Sequence, residues 1–304
     1  MSELVAAIDV GTNTCLLLVA EGSPLVVIED AMRRPQLGKG LIDGGDLDEA
    51  ARARTLEVLA EFLSIADGHG IPRERCRAVG TAVLRRASNA ADFVGQVREL
   101  LGLKLEVLSG EEEASLAWEA AAESAAHDGD CLVLDVGGGS SEAAWDAGSQ
   151  GVSLPIGALG LTERYLESGA AEGWSELGAV LRAELQACPR GIGQNRECLM
   201  LGGAAANLVA LVRGGAEFEV EGLHGLQATA EQAWYWAHHL QGLGLGERRQ
   251  LPIESDRARI LPAGLACLAA LLEHSGVAVG RFSALGLRFG LAARLLRGPQ
   301  SGSG

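Results

Sequence analysis

One short pattern occurs twice in the chain, and this repeat limits the fold more than any other feature of the sequence. An apolar residue followed by Asp, Val and Gly is found at Ile8–Gly11 and again at Leu134–Gly137, so Asp135 lies 126 positions after Asp9. A repeat of this length indicates a duplicated domain, because solenoid repeats have periods of about 20–50 residues. The 304 residues also suffice for two domains of about 150 residues each.

Apolar runs and turn residues predict that both halves begin in the same way. The first half opens with three short apolar runs separated by turn residues, at 4–10, 15–20 and 25–28. The second half opens likewise, with runs at 131–136, 142–145 and 151–154. Helices and strands then alternate, which gives two α/β domains of βββαβαβα type. We place these domains at 1–126 and 127–297, followed by a disordered tail at 298–304.

The remaining elements are predicted from periodicity and from helix-capping pairs. Three such pairs mark helix starts, namely Asp46 with Glu49, Ser109 with Glu112, and Thr229 with Gln232. Further strands are expected near 75–80, 104–108 and 198–201. Helices are expected near 46–66, 89–101, 109–126, 159–168, 174–187, 203–213, 229–241, 257–274 and 287–296.

Composition limits the partners and the location. The chain has 40 acidic and 25 basic residues, and its net charge of −15 repels duplex nucleic acid and anionic lipid surfaces. Neither nucleic acid nor a membrane is therefore an expected partner. The six cysteines form no CxxC or zinc-binding pattern, which favours buried thiols in a reducing cytoplasm. No signal peptide precedes the first strand, and no apolar run reaches the about 18 residues of a membrane span.

Each repeat carries a glycine-containing turn that begins two residues after its aspartate. The turns at 11–14 and 137–141 lack the Walker pattern, and they lead into a strand rather than the helix of a Rossmann fold. Consecutive backbone N–H groups in such a turn suit phosphate oxygens, and hydroxyl and amide side chains add further donors. An adjacent aspartate would repel phosphate unless a divalent cation lay between them. The alternative interpretation is that each turn is an ordinary hairpin turn.

Two further groups are candidates for chemistry. In the acidic run 111–113, Glu112 completes a capping box with Ser109, which leaves Glu113 able to deprotonate a water. The alternative is that the whole run only complements the helix dipole. Arg85 and Arg86 follow a strand and can bind phosphate through planar guanidinium groups, or can form a surface pair with nearby acids.

Together these segments resemble the exopolyphosphatase/guanosine pentaphosphate phosphohydrolase family over nearly the whole chain. Asp9–Thr14 is similar to its D-x-G-S-N-S loop, and Gly80–Asn89 to its T-x-x-x-R-x-A-x-N segment. Ser109–Ala114 matches S-G-x-E-E-A, and Asp135–Glu142 matches D-x-G-G-G-S-[ST]-E.

The resemblance implies a duplicated RNase H-like (actin-like ATPase) fold with the active site in an interdomain cleft. It implies that Glu113 is the catalytic base and that Arg85 supports the transferred phosphate. A Mg²⁺ ion, with Mn²⁺ as an alternative, is then expected on Asp135 and Glu142, with Asp9 contributing. The implied substrate-binding residues are Gly11, Thr12, Asn13, Thr14, Gly137, Gly138, Gly139, Ser140 and Ser141.

The implied activity is a metal-dependent phosphohydrolase in the cytoplasm. It would release terminal phosphate from inorganic polyphosphate, convert guanosine pentaphosphate (pppGpp) to guanosine tetraphosphate (ppGpp), or do both. Two alternatives stay open, namely a kinase of the same fold that uses ATP and a weakly catalytic sensor of polyphosphate or alarmone. A homodimer is also among the expectations.

The sequence departs from the family pattern at several points. Thr12 and Thr14 replace serines and keep both hydroxyl groups. Ala204 stands where a threonine is usual, Phe289 stands where glutamate is usual, and the chain ends before the C-terminal domain of long family members. These departures leave the chemistry in place and leave the substrate preference open.

Overall fold

A computed structural model of the protein describes residues 4–41, 44–122, 130–167, 171–220 and 222–298. Its strands are β1 Val5–Val10, β2 Cys15–Glu21, β3 Val26–Arg33, β4 Cys76–Gly80, β5 Leu105–Val107, β6 Cys131–Val136, β7 Ser141–Trp145, β8 Gln150–Leu154, β9 Glu197–Leu201, β10 Gln227–Thr229 and β11 Val279–Phe282. Its helices are α1 Glu49–Gly68, α2 Ala82–Arg86, α3 Ala90–Leu101, α4 Gly110–Ala122, α5 Ala158–Leu161, α6 Ala171–Glu184, α7 Gly202–Arg213, α8 Ala230–Gly242, α9 Leu245–Arg248, α10 Leu261–His274 and α11 Leu287–Arg297.

The strands form two sheets with the same central arrangement. The first sheet has the order β3-β2-β1-β4-β5, and the second has β10-β11-β9-β6-β7-β8. In each sheet the first three strands of the chain segment pair antiparallel. A fourth strand then pairs parallel with the first, and a fifth pairs parallel with the fourth. This mixed topology confirms the predicted α/β class and the duplicated RNase H-like arrangement. The additional strand β10 pairs antiparallel with β11.

The duplication extends to individual hydrogen bonds in the two hairpins. The backbone N–H of Gly11 donates to the carbonyl of Thr14 at 2.9 Å, and that of Gly137 donates to Ser140 at 3.0 Å. A β-carbon added at either glycine would lie 3.0 Å from the carbonyl oxygen that accepts the hydrogen bond of that glycine. A glycine therefore fits this position of the turn in both halves, because a side chain would crowd the closing bond.

The chain divides into two compact units. The first contains the described residues up to Leu116 and those from Leu287 onward, and the second runs from Ala117 to Gly286. The last helix, α11, thus groups with the first sheet, although the sequence places 287–297 in the second domain. Its buried side chains, such as Leu291, pack in one cluster with Val5 and Ala7 of β1.

Polar contacts also hold α11 on the first unit. The guanidinium of Arg288 donates to both carboxylate oxygens of Asp30 on β3, at 2.9 and 2.7 Å. Gly290 lies so close to α4 that an added β-carbon would be 2.3 Å from the carbonyl oxygen of Leu116. The predicted boundary near 127 and all but one residue of the predicted tail lie outside the described residues.

Two of the three predicted helix caps are confirmed. Ser109 with Glu112, and Thr229 with Gln232, exchange the two hydrogen bonds of a capping box. The predicted cap at Asp46 is wrong, because the side chain of Asp48 accepts from the N–H of Ala51 at 2.9 Å and α1 begins at Glu49. Asp46 instead accepts a hydrogen bond from Ser88.

Other differences lie in the second unit and at short elements. The sequence reading missed α2, α9, β10 and β11, of which β11 has the sequence VGRF and lacks a continuous apolar run. The helix predicted from 257 begins at Leu261, after a 3-10 turn at Ser255–Arg257. Pro262 fits this start, because proline is tolerated in the first helical turn.

All six cysteines are buried free thiols, as predicted. Across the described ranges, no helix is both long enough and apolar enough to cross a membrane.

Candidate active site

The first glycine turn is held from one side by a neighbouring loop. The carbonyl of Thr12 accepts from the N–H of Gly38 at 2.9 Å, and that of Asn13 accepts from Gln36 at 3.3 Å. In a trans peptide the N–H points away from the carbonyl of the same unit. The N–H groups in the same peptide units as these two carbonyls therefore point away from the supporting loop. An anion-binding turn requires N–H groups that are oriented in this way.

Asn13 has a buried polar side chain at this turn. The residue is only 4% exposed, and neither its amide nitrogen nor its amide oxygen has a hydrogen-bond partner among the residues that the structure describes. Burying an unsatisfied amide costs free energy, so native structures rarely contain one without a ligand or water. The side chain of Asn13 is thus suited to bind a polar group that enters the turn.

The second glycine turn is held in a similar way by a helix. The N–H of Ala158 donates to the carbonyl of Gly137, and that of Leu159 donates to Gly138, both at 2.9 Å. A β-carbon added at Gly157 would lie 2.5 Å from the backbone of this turn, so glycine is needed for the close approach. In each of these two peptide units the N–H group points away from the bound carbonyl. Both N–H groups therefore face away from α5.

The two serines of the second turn are both buried. Ser140 is 5% exposed, and Ser141 has no exposed surface. The hydroxyl of Ser141 donates to the carbonyl of Ile156 at 2.5 Å and lies 3.3 Å from the sulfur of Cys267. Its side chain therefore points into the core, which differs from the substrate-binding role predicted from the sequence.

Two predicted metal ligands are neighbours on the second sheet. Asp135 on β6 is the cross-strand partner of Glu142 on β7, so their side chains lie on the same face. Glu142 is 3% exposed, and its Oε1 accepts a hydrogen bond from Ser153 at 2.7 Å. Two adjacent carboxylates fit Mg²⁺, which is commonly held by one or two carboxylates together with waters and substrate phosphates.

The third predicted ligand, Asp9, belongs to the first unit. It occupies the same place in β1 that Asp135 occupies in β6, one residue before the last residue of the strand, and both are half-buried. Within the described ranges, no group of three His, Cys, Asp or Glu side chains is arranged to hold a metal ion. The role of Asp9 as a third metal ligand stays a prediction.

An arginine that sequence reasoning missed lies beside Asp135. The start of α7 approaches Asp135 so closely that a β-carbon added at Gly202 would be 2.6 Å from Oδ1 of its carboxylate. Arg257 lies against Gly203, and its guanidinium donates to Glu254 at 3.1 Å. Burial lowers the pKa of Arg257 to about 10, and the charge of Asp135 opposes that shift. A single arginine in a short turn gives no sequence signal for this position.

The two predicted catalytic residues are in direct contact. Nη1 of Arg85 donates to Oε2 of Glu113 at 2.6 Å and to the carbonyl of Leu108 at 3.1 Å. Glu113 is 9% exposed, and burial raises the pKa of its carboxyl while the nearby Arg85 opposes the rise. The capping box occupies Glu112, at 2.8 and 3.1 Å from Ser109, and leaves Glu113 to this ion pair.

The chain belongs to the Ppx/GppA phosphatase family, whose model matches residues 18–298. It is similar to a protein of Vibrio cholerae named guanosine-5'-triphosphate,3'-diphosphate pyrophosphatase, with 30% identity over 97% of this chain and 60% of the relative. The chain thus spans about three fifths of the length of that relative.

Solved structures agree with this assignment. The crystal structure of a Ppx/GppA family member from Aquifex aeolicus is similar to this protein, with 29% identity and a TM-score of 0.81. The alignment covers 99% of this chain and 100% of the chain from Aquifex aeolicus. An exopolyphosphatase from Cytophaga hutchinsonii shares the fold, with 20% identity, 99% and 100% coverage, and a TM-score of 0.84. The family resemblance found in the sequence motifs is therefore confirmed.

Proposed function

We propose that the protein is a metal-dependent phosphohydrolase that removes a terminal phosphate from a phosphoanhydride chain. The observation that carries this proposal is the ion pair of Glu113 and Arg85. It places a buried carboxylate with a raised pKa against a phosphate-binding type of side chain. A carboxylate of this kind can act as a general base toward water.

In this reaction Glu113 takes the proton from the attacking water. Arg85 keeps the carboxylate oriented through Nη1, and its positive charge supports the phosphate that is transferred. The backbone amides of the two glycine turns and the side chain of Asn13 bind phosphate oxygens. Hydrolysis of this type depends mainly on positioning and on stabilising negative charge.

A divalent cation, Mg²⁺ or Mn²⁺, is part of the proposal. Asp135 and Glu142 would hold it, and Asp9 is a further candidate ligand. When bound, the cation supplies neutralisation of the negative charge on the phosphate oxygens. The support is the pairing of two carboxylates on adjacent strands, next to a turn whose amides suit an anion.

The proposed substrates are inorganic polyphosphate and pppGpp. Two similar proteins are named for these substrates, one a guanosine-5'-triphosphate,3'-diphosphate pyrophosphatase and the other an exopolyphosphatase. The alternatives are an ATP-dependent kinase and a sensor with little turnover. The position of Glu113 directly after the S-G-x-E segment favours the hydrolase, because the chain shares this segment with the phosphatase family to which it belongs.

A substrate panel tests the proposal. Release of free phosphate is measured from polyphosphate, pppGpp and ATP in parallel, with Mg²⁺ and with EDTA. We expect release from at least one of the first two substrates, loss of release in EDTA, and its return with Mg²⁺ or Mn²⁺. Full activity in EDTA would exclude the metal role. Binding of all substrates without release would favour the sensor.

We further propose a cytoplasmic homodimer. Six free thiols, all buried, suit a reducing compartment. The strand β3 is the edge of the first sheet and exposes the apolar side chains of Val26, Val27, Ile28 and Met32, which a second subunit pairing with this edge would cover in part. Light scattering on the purified protein should give twice the mass of the chain, and the mass of a single chain would contradict the dimer.

A further inference from the structure

Three polar side chains form a row across three adjacent strands of the second sheet. Asp135 on β6 pairs with Glu142 on β7, and Glu142 pairs with Ser153 on β8. Directly paired residues project to the same face of a sheet. The hydroxyl of Ser153 donates to Oε1 of Glu142 at 2.7 Å.

The first sheet lacks this row although it has the same topology. Asp9 on β1 pairs with Leu16 on β2, and Leu16 pairs with Met32 on β3. An apolar side chain thus stands at the position of Glu142, and another at that of Ser153. The hydroxyl next to the carboxylate is therefore not a requirement of the fold, since the first sheet forms with a methionine in the same place.

Burial explains why Glu142 needs a fixed donor. Its side chain is 3% exposed, and a buried carboxylate that loses contact with water is stable only when hydrogen-bond donors replace the water. A charge-assisted bond of 2.7 Å restricts the rotation of the carboxylate. A ligand that is oriented in advance binds a cation more tightly, because less freedom is lost on binding.

We propose that Ser153 is a positioning residue that orients Glu142 for a divalent cation. This inference rests on the proposed function, in which Glu142 is a ligand of that cation. Side chains that hydrogen-bond a metal ligand typically contribute 10–100-fold to metal affinity. Ser153 itself need not contact the ion or the substrate.

The test measures Mn²⁺ binding directly, without substrate, through the electron paramagnetic resonance signal of the free ion. Ser153→Thr and Ser153→Val form the central comparison, because the two side chains have nearly the same shape and both suit a strand. We expect Ser153→Val to weaken Mn²⁺ binding about 10–100-fold and Ser153→Thr to stay close to wild type. Ser149→Ala serves as a control in the same hairpin, since its hydroxyl donates only to the carbonyl of Asp146 in the described structure.

A further variant, Glu142→Gln, separates the two proposals. If Glu142→Gln loses Mn²⁺ binding while Ser153→Val binds like wild type, the positioning role of Ser153 is wrong and the metal site stands. If Glu142→Gln also binds Mn²⁺ like wild type, the proposed metal site itself is wrong. Thermal unfolding without metal shows whether each variant is folded, and equal loss of binding in Ser153→Thr and Ser153→Val would also overturn the role of the hydroxyl.

Discussion

At the scale of single residues, adjacent glutamates of α4 have different surroundings. Glu112 closes the capping box with Ser109, whereas Glu113 is buried against Arg85. The sequence predicts this division, because the capping box has a fixed spacing. It does not predict the contact with Arg85, which lies 28 positions earlier in the chain and approaches only in the folded state.

The first prediction compares these two glutamates by the same substitution. Glu113→Gln should lower kcat by about 10²–10⁴ with little change in KM, because activation of water is felt only in the transition state. Glu112→Gln should keep both activity and stability near wild type, because glutamine also completes a capping box. Steady-state kinetics on the preferred substrate measure both variants. Loss of turnover in Glu112→Gln but not in Glu113→Gln would reverse the assignment.

The second prediction concerns pH. Burial raises the pKa of the Glu113 carboxyl, and Arg85 opposes the rise. Removing that positive charge in Arg85→Met should raise the pKa of Glu113 further. Since a base must be ionised to act, the acidic limb of kcat/KM should move to higher pH.

The pH profile also separates this effect from a loss of phosphate binding. A variant that only binds phosphate less well would lower kcat/KM at every pH and leave the shape of the profile unchanged. Arg85→Lys is the control, because it keeps a positive charge near Glu113 and should shift the limb less than Arg85→Met. An unshifted limb in Arg85→Met would disprove the electrostatic link.

At the scale of elements, the sequence predicts the parts that are local. The two hairpins, the glycine turns and two capping boxes depend on residues close together in the chain, and all are found where expected. The strand β11 is missed because a four-residue segment with a glycine and an arginine has no apolar period. The cap of α1 is missed by two residues because Asp46 and Asp48 are both good N-caps, and only tertiary contacts decide between them.

The third prediction tests the close packing of α11 on α4. In Gly290→Ala the new β-carbon would lie 2.3 Å from the carbonyl oxygen of Leu116, which is fixed in helical backbone. One helix must move, and overpacking of this kind typically costs about 1–3 kcal/mol. Gly95→Ala is the control, because this exposed glycine of α3 has no atom within 4 Å of an added β-carbon. It should stabilise the protein by up to about 1 kcal/mol.

Urea denaturation of both variants measures these changes in the free energy of unfolding. The opposite signs expected for the same Gly→Ala change separate a packing effect from the general effect of alanine on helix propensity. A stabilised Gly290→Ala variant would show that α11 does not pack on α4 as closely as described.

At the scale of the whole molecule, the duplication is predictable and the place of the last helix is not. The repeated motif around Asp9 and Asp135 predicts that the two sheets share one topology, and the structure has this common topology. The helix α11 follows the second unit in the chain but packs with the first sheet. Its apolar pattern indicates that one face is buried, and it contains nothing that specifies which sheet buries that face.

The distribution of charge belongs to the same scale. The sequence offers only a few cations near the first loop to offset the net charge of −15, namely Arg33, Arg34, Lys39, Arg85 and Arg86. Arg33 and Arg85 are bound to acidic side chains of the chain itself, because Arg33 donates to Glu61 and Arg85 donates to Glu113. Fewer positive charges thus remain to attract a polyanion along the surface than the sequence suggests.

The last prediction follows from this charge balance and concerns the length of a polyphosphate substrate. A long chain carries about one negative charge per phosphate, and the part beyond the site meets an acidic surface. We therefore expect a preference for short chains, release of the chain after each cleavage, and affinity that does not increase with length. Salt screens charges beyond about 8–10 Å, so it should reduce this repulsion more than it weakens the contacts of the bound end. Values of kcat/KM for defined short and long chains at two salt concentrations provide the measurement, and the ratio of long to short should rise with salt. Processive degradation of long chains at low salt would show instead that a continuous positive path along the protein outweighs its net negative charge.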